Sequence, residues 1–276
     1  MSAGRLEAKT AELTRGGRCG LAPYVTAGDG GLDRTLAVLQ ALEGAGADCV
    51  ELGLPFSDPV ADGPTLQAAA QRALAAGTTF QGVLELIERL RGAGGQIPLL
   101  AFCYANTIVS RGARAACAQL AAAGADGLLI PDLPVEERGC LQDAVEEADL
   151  AQVFFVTPTT SSERIVAAAE ASRGFLYVIG RTGVTGARTQ LGTAGHEYLT
   201  RVRGLVDCPL GVGFGIRGPE EVAAVAPHAQ LAIVGSALVE HIHQASLERH
   251  PDQDASSACA SAAATFLTHL RGGLNP

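Results

Sequence analysis

Glu51 and Asp62 are the two residues of this 276-residue chain whose types and setting best suit proton transfer. They bracket Glu51-Leu52-Gly53-Leu54-Pro55-Phe56-Ser57-Asp58-Pro59-Val60-Ala61-Asp62-Gly63-Pro64, where an apolar run passes into a loop anchored by three prolines. Side chains alternate along a strand, so Val50 and Leu52 face one way while Cys49 and Glu51 face inward. Burial in apolar packing raises a carboxyl pKa, which suits a group that must both give and take a proton. The loop can carry Asp62 over the same cavity. An internal salt bridge would also account for Glu51, and a turn or helix cap for Asp62. Asp58 is the more ordinary of the loop's acids.

A second set of residues suits an anion. Glycine lets backbone N–H groups approach a phosphate closely, and three Gly-bearing loops recur late in the chain: Gly183-Val184-Thr185-Gly186, Gly213-Phe214-Gly215 and Gly235-Ser236. The last opens a short helical stretch, Ala237 to His241, whose N-terminus would contribute about 0.3–1 kcal/mol to an anion. A turn explains any one of these glycines; three at adjacent strand ends point to phosphate. No Walker-type lysine is present, which disfavours nucleoside triphosphates. His241 and His243, two apart on a helix, point away from each other, so no metal site is expected.

The same alternation places Tyr24, Phe102, Leu129, Phe155, Tyr177, Phe214 and Val234 on an inner face. Bulky inward residues fill any such core, but the chain has only four Tyr, eight Phe and no Trp. Five of those twelve rings fall in this set, a concentration that favours a pocket for a flat apolar ring.

These residues need strands and loops to position them. Eight apolar runs, at 21–26, 48–52, 98–103, 126–130, 152–156, 175–179, 209–213 and 231–234, read as buried strands. Two follow a repeated Gly-Ala-Asp phrase, at Gly46-Ala47-Asp48 and Gly124-Ala125-Asp126, with glycine as the helix stop. Helical patterns such as Leu32–Ala45, Val109–Ala123 and Glu136–Ala148 lie between the runs, and a polar loop after Gln244 leads through Ser257 to a closing helix. Alternation argues for parallel strands, and a count of eight for a closed (β/α)8 TIM barrel: one domain, residues 1–276, with an extra N-terminal helix. A doubly wound open sheet is the alternative. In a barrel, chemistry sits in the loops after the strands, where most of these motifs fall.

The formal net charge of −9, with no block of like charges, argues against nucleic acid or anionic membrane as partner. Seven scattered cysteines without C-x-x-C spacing read as reduced thiols of a cytoplasmic protein. No signal peptide and no run of about 18 apolar residues is present, so a soluble protein is expected.

The stretch Glu51–Pro64 closely resembles the most characteristic motif of the tryptophan synthase alpha chain family. The likeness continues through Pro23–Asp29, Gln67–Leu74, Ile130–Pro134, Thr157–Ser161, Gly183–Arg188, Gly213–Ile216 and Val234–Ala237, nearly the whole chain in order. The resemblance implies a lyase that cleaves indole-3-glycerol phosphate to indole and glyceraldehyde 3-phosphate by retro-aldol chemistry. It implies Glu51 and Asp62 as the acid–base pair and Tyr177 beside Glu51, tuning it by a hydrogen bond. Gly186, Gly215, Gly235 and Ser236 become phosphate contacts, and Thr185 a lid residue in a long loop from Gly180 to about Thr193. It further implies no cofactor on this chain, PLP being carried by a beta-chain partner in an α2β2 heterotetramer of tryptophan biosynthesis.

Three positions depart from the family pattern. Gly180 stands where Ser is common, Asn106-Thr107 where Asn-Pro is frequent, and Gly30 where Pro is frequent after Asp29. They bear on coupling to a partner more than on chemistry. A stand-alone indole-forming paralogue in a specialised pathway is the alternative function. A regulatory or binding barrel and a phosphosugar isomerase are more distant ones, opposed by Glu51, Asp62 and the phosphate glycines.

Overall fold

The computed structural model describes residues 3–180, 192–250, 252 and 254–274. Nine strand segments form one parallel sheet: β1 (Gly20–Thr26), β2 (Val50–Gly53), β3 (Leu99–Phe102), β4 (Gly127–Leu129), β5 (Ala151–Val153), β6 (Phe155–Val156), β7 (Leu176–Ile179), β8 (Leu210–Gly213) and β9 (Leu231–Val234). Their order is β5-β4-β3-β2-β1-β9-β8-β7-β6. The two outermost segments, β5 and β6, are one stretch of chain interrupted only at Phe154, whose amide bonds to the Ser172 hydroxyl at 3.0 Å. Taken as one strand they make the count eight and close the sheet into a (β/α)8 barrel, all within a residue or two of the expected runs.

Alternation sorts the strand residues into two layers. Ala22, Cys49, Leu100, Leu129, Ala151, Val153, Leu231 and Ile233 fill the inside, while Leu21, Val50, Leu52, Leu128, Val178, Val212 and Val234 pack outward in the helix-covered layer. Helix α1 (Ala3–Arg15) sends Leu6 and Leu13, both fully buried, into the inner cluster and so plugs the barrel base.

The repeated Gly-Ala-Asp phrase fastens that base. Gly46 and Gly124 have φ of 85° and 106°, the left-handed geometry that stops a helix without a Cβ clash. The aspartate that follows accepts an amide at the start of the preceding strand: Asp48 takes Leu21 N at 3.0 Å and Asp126 takes Leu99 N at 2.8 Å. Asp126, fully buried, also pairs with Arg5 of α1 and with Arg91, each at 2.9 Å.

Between strands lie α2 (Leu32–Gly44), α3 (Pro64–Ala75), α4 (Phe80–Gly92), α5 (Ala105–Val109), α6 (Ala113–Ala123), α7 (Gln142–Glu147), α8 (Ser162–Ala171), α9 (Thr193–Arg203) and α10 (Pro219–Val225), with α11 (Ser236–Glu248) and α12 (Ala255–Arg271) closing the chain. Three expected helices change. The Val109–Ala123 pattern divides at Gly112, whose φ of 80° breaks the helix into α5 and α6. The first part of Glu136–Ala148 winds as a 3-10 turn over Val135–Cys140. Helix α11 runs to Glu248 instead of ending near His241, so the polar loop shrinks, and Asp254 caps α12 by accepting Ser257 N at 2.8 Å.

Removing the carboxylate that holds α1, α4 and β3 together leaves two guanidinium groups facing a buried gap. Asp126→Ala is expected to lose about 3 kcal/mol of unfolding free energy, measured by urea denaturation; a loss below about 1 kcal/mol would mean the base does not depend on it.

Candidate active site

A cleft of about 1030 Å³, including its open mouth, lies at the C-terminal ends of the strands. Its floor is aromatic. Tyr24 and Phe102 meet edge to face at 5.4 Å, Phe102 and Phe155 at 6.2 Å, and Phe155 and Tyr177 lie 4.6 Å apart. These four rings come from β1, β3, β6 and β7. The Tyr24 hydroxyl comes so close to Gly53 that any Cβ there would collide with it.

Glu51 rises from β2 between Tyr24 and Leu100, its register neighbours. It is 1% exposed and its Oε1 has no hydrogen-bond partner. Burial alone pushes its pKa from 4.5 up to about 8. Asp62, in the loop ahead of α3, lines the same cavity; burial lifts it to about 6, and a hydrogen bond from Tyr104 pulls the other way. The two carboxyls share one cleft, and burial raises both, Glu51 more than Asp62. Burial, then the charges of Glu51 and Asp62, hold the Tyr177 phenol far above its ordinary value. Tyr177 thus lies within electrostatic reach of Glu51, but no hydrogen bond joins the two.

The opposite wall is built of Gly213, Gly215, Ile216, Arg217, Gly235, Ser236 and Ala237. Gly215 needs glycine, for its φ is 70°. Gly235 caps α11, and its carbonyl accepts the amides of Leu238 and Val239 at 3.0 and 3.2 Å. The earlier amides of Ser236 and Ala237 have no acceptor among the described residues, as at any helix start. Arg217 is the one Arg or Lys among the described residues lining the cleft.

Most expected site residues therefore meet in one cavity, with corrections on two strands. Phe214 and Val234 belong to the outward layer instead, because Gly213 and Ile233 are the inward residues of β8 and β9. The Phe214 ring fills the space a Cβ on Gly180 would need, so the serine common at that position would displace it. Leu129 points inward but sits below the cleft in the barrel core. Gly186 and Thr185 fall outside the described residues. Tyr104, Leu66, Ile179 and Arg217 were not anticipated. Tyr104 was within reach of the alternation rule, since an inward Phe102 implies an inward Tyr104 and an outward Cys103.

A parallel barrel with two differently tuned carboxyls at one end of an aromatic cleft and glycine-borne amides at the other defines an acid–base enzyme acting on a small anionic substrate. The family model described as "Tryptophan synthase alpha chain" matches residues 10–266. The tryptophan synthase alpha chain of Picosynechococcus sp. is 46% identical over 233 residues, covering 83% of this chain and 87% of the relative. That of Alkalilimnicola ehrlichii is 44% identical over 249 residues, 90% of each. Among solved structures, tryptophan synthase subunit alpha from Legionella pneumophila superposes with a TM-score of 0.87 at 32% identity over 98% of both chains. A Mycobacterium tuberculosis tryptophan synthase chain gives 0.86 at 34% identity, covering 99% of this chain and 98% of its own. The chain belongs to the tryptophan synthase alpha chain family.

The isolated charge of Glu51 leaves a thermodynamic trace. The fold holds its proton between pH 4.5 and about 8 while the unfolded chain releases it. This group therefore costs stability progressively as pH rises through that window, at up to about 1.4 kcal/mol per pH unit, and the loss levels off beyond it. Glu51→Gln, which cannot ionise, should gain melting temperature relative to the parent across the window; a difference constant with pH would refute the buried, unpaired state.

Proposed function

We propose that Glu51 and Asp62 together cleave indole-3-glycerol phosphate to indole and glyceraldehyde 3-phosphate. The chain is a carbon–carbon lyase of tryptophan biosynthesis, the alpha subunit of tryptophan synthase; its similarity to alpha chains lends no support to a stand-alone paralogue. The observation that carries the assignment of roles is the pair of carboxyls in one cleft, raised to about 8 and about 6.

At neutral pH Glu51 carries a proton and Asp62 does not. Glu51 gives its proton to indole C3, and the positive charge that develops on the ring nitrogen is met by the Asp62 carboxylate. Glu51, now ionised, takes the proton of the adjacent glycerol hydroxyl. The oxygen electrons form the aldehyde, and the broken carbon–carbon pair returns to the ring. The net change is one proton moved from hydroxyl to C3, so no cofactor is called for. Acid–base work of this kind contributes about 10²–10⁴ in rate. Tyr24, Phe102 and Phe155 hold the indole ring, with Tyr177 beside Glu51. Gly215, Gly235 and Ser236 receive the phosphate together with Gly186, while Thr185 serves as a lid residue.

A beta chain carrying PLP would dock on the flank beside the Asp62 loop, in a cytoplasmic α2β2 assembly. Leu54, Phe56, Phe80, Asn106 and Thr107 line a groove there, flanked by the exposed Val60 and Val109. Gly30, another departure, adopts a φ of 81° that proline cannot take.

The deciding measurement is indole release from indole-3-glycerol phosphate with and without a tryptophan synthase beta subunit. Slow turnover that rises with the beta chain is expected, whereas no turnover in either condition would overturn the reading. Because the active form has Asp62 ionised and Glu51 protonated, kcat/KM should rise through about pH 6 and fall through about pH 8. Glu51→Gln should keep the fold and lose about 10²–10⁴ in kcat. Arg217→Gln should raise KM about tenfold and leave kcat less affected, as loss of uniform phosphate binding would; an unchanged KM would remove Arg217 from the phosphate end.

A further inference from the structure

We propose that Arg72 positions Asp62, its two-bonded pair with Asp29 clamping α3, the helix that follows the Asp62 loop, onto the loop after β1. Arg72 stands in the last turn of α3, and its Nε and Nη2 donate to the two Asp29 carboxylate oxygens at 2.7 and 2.6 Å. The same loop meets the chain again just past α3. Gly28 has a φ of 82°, and the Thr78 side chain fills the place a Cβ there would take. The loop is held in turn by α2, since the Gly28 amide donates to the Thr35 hydroxyl at 2.9 Å. At its other end α3 is joined to Asp62 itself. The Gln67 side-chain amide donates to the Asp62 carbonyl at 2.9 Å, and the Gln67 backbone amide to the Gly63 carbonyl at 3.0 Å. A shift of α3 is therefore a shift of Asp62.

The clamp serves geometry more than stability. The Arg72 and Asp29 side chains are 32% and 16% exposed, and a partly exposed ion pair contributes little to folding. Two parallel bonds from a planar guanidinium nevertheless fix a direction. The rest of this interface does not. Leu66, Ala69, Ala70 and Ala73 form the buried face of α3, and Leu66 and Ala69 meet Tyr24 and Val239 through apolar contact, which carries no direction. Glu240 of α11, a helix packed against α3, also favours the Arg72 charge. Arg72 is not among the described residues lining the cleft, so it reaches the reaction through α3 and Asp62. A displacement of about 1 Å in a catalytic group is enough to cost about 10² in rate. The catalytic consequence rests on the acid–base reading above, though the geometry does not.

The test is a double-mutant cycle on the whole chain, read by indole release from indole-3-glycerol phosphate. Arg72→Met should lower kcat about tenfold or more and leave KM within about twofold, because the lost interaction acts on a catalytic group and not on substrate binding. Arg72→Lys should recover little of this, since an ammonium cannot make the two parallel bonds. In an Asp62→Asn chain the same Arg72→Met change should cost less than about twofold, the group it positions being already gone. An equal loss in both backgrounds, or no loss in either, would overturn the proposal. Asp29→Asn takes the place of Arg72→Met in the cycle if that variant fails to fold. Hydrogen exchange gives a reading independent of activity: the Ala61 and Asp62 amides, bonded to the Tyr104 oxygen and the Pro59 carbonyl, should exchange about tenfold faster in Arg72→Met, with the Leu99 amide at the barrel base unchanged. Should the parent cleave no indole-3-glycerol phosphate, the lyase reading falls, while unchanged exchange at Ala61 and Asp62 would still overturn the role of Arg72 and faster exchange would support it.

Discussion

A carboxyl group buried in an apolar barrel, with no partner among the described residues, is the constraint from which the rest of this structure follows. Elsewhere buried acids are answered: Asp126 meets two arginines and a backbone amide. Glu51 meets none among the described residues, and the apolar layer beneath it keeps it so. Cys49 and Leu100 lie under it, and Leu6 and Leu13 of α1 close the far end. The barrel base is therefore part of the chemistry at its top, because water or a counter-charge beside Glu51 would return it to an ordinary glutamate.

The two ends of the barrel divide the work. The base is held by charge: the Gly-Ala-Asp aspartates bind amides at the start of neighbouring strands, and Arg5 draws α1 onto Asp126. The top is lined instead by the backbone of Gly215, Gly235, Ser236 and Ala237 and by Arg217. Four aromatic rings leave a flat space between these and the carboxyls. Stability at one face and chemistry at the other is the usual arrangement of such barrels. Here one short strand, β2, connects them, with Asp48 just before it and Glu51 within it.

The cleft is graded in polarity as well as in shape. Apolar rings lie where an indole would, and the donor-rich wall lies where a phosphate would. On the reading proposed above, a substrate joined end to end from those two parts sits in one direction, with the bond to be broken beside Glu51. The Asp62 loop is held beside this cleft by the Ala61–Tyr104 hydrogen bond and the stacking of Phe56 on Tyr104.

Periodicity alone determined the eight strands, their parallel order and the inward aim of Glu51, because a glutamate between Val50 and Leu52 has only one face to choose. It also determined the Gly-Ala-Asp helix stops, since a left-handed turn at Gly46 or Gly124 is a local matter. It could not phase β8 and β9. Both faces of a parallel barrel strand are apolar, so Leu231-Ala232-Ile233-Val234 reads equally well either way round. Only packing decided that Ile233 and Gly213 turn inward and Val234 and Phe214 outward. Alternation from Phe102 reaches Tyr104, but distance along the chain hid its bond to the Ala61 amide, 43 positions away. It hid Arg217 too, an ordinary surface arginine until the barrel brings it to the cleft. Local chemistry can be read along the chain, but which residues converge depends on closure of the sheet, a property no single segment carries.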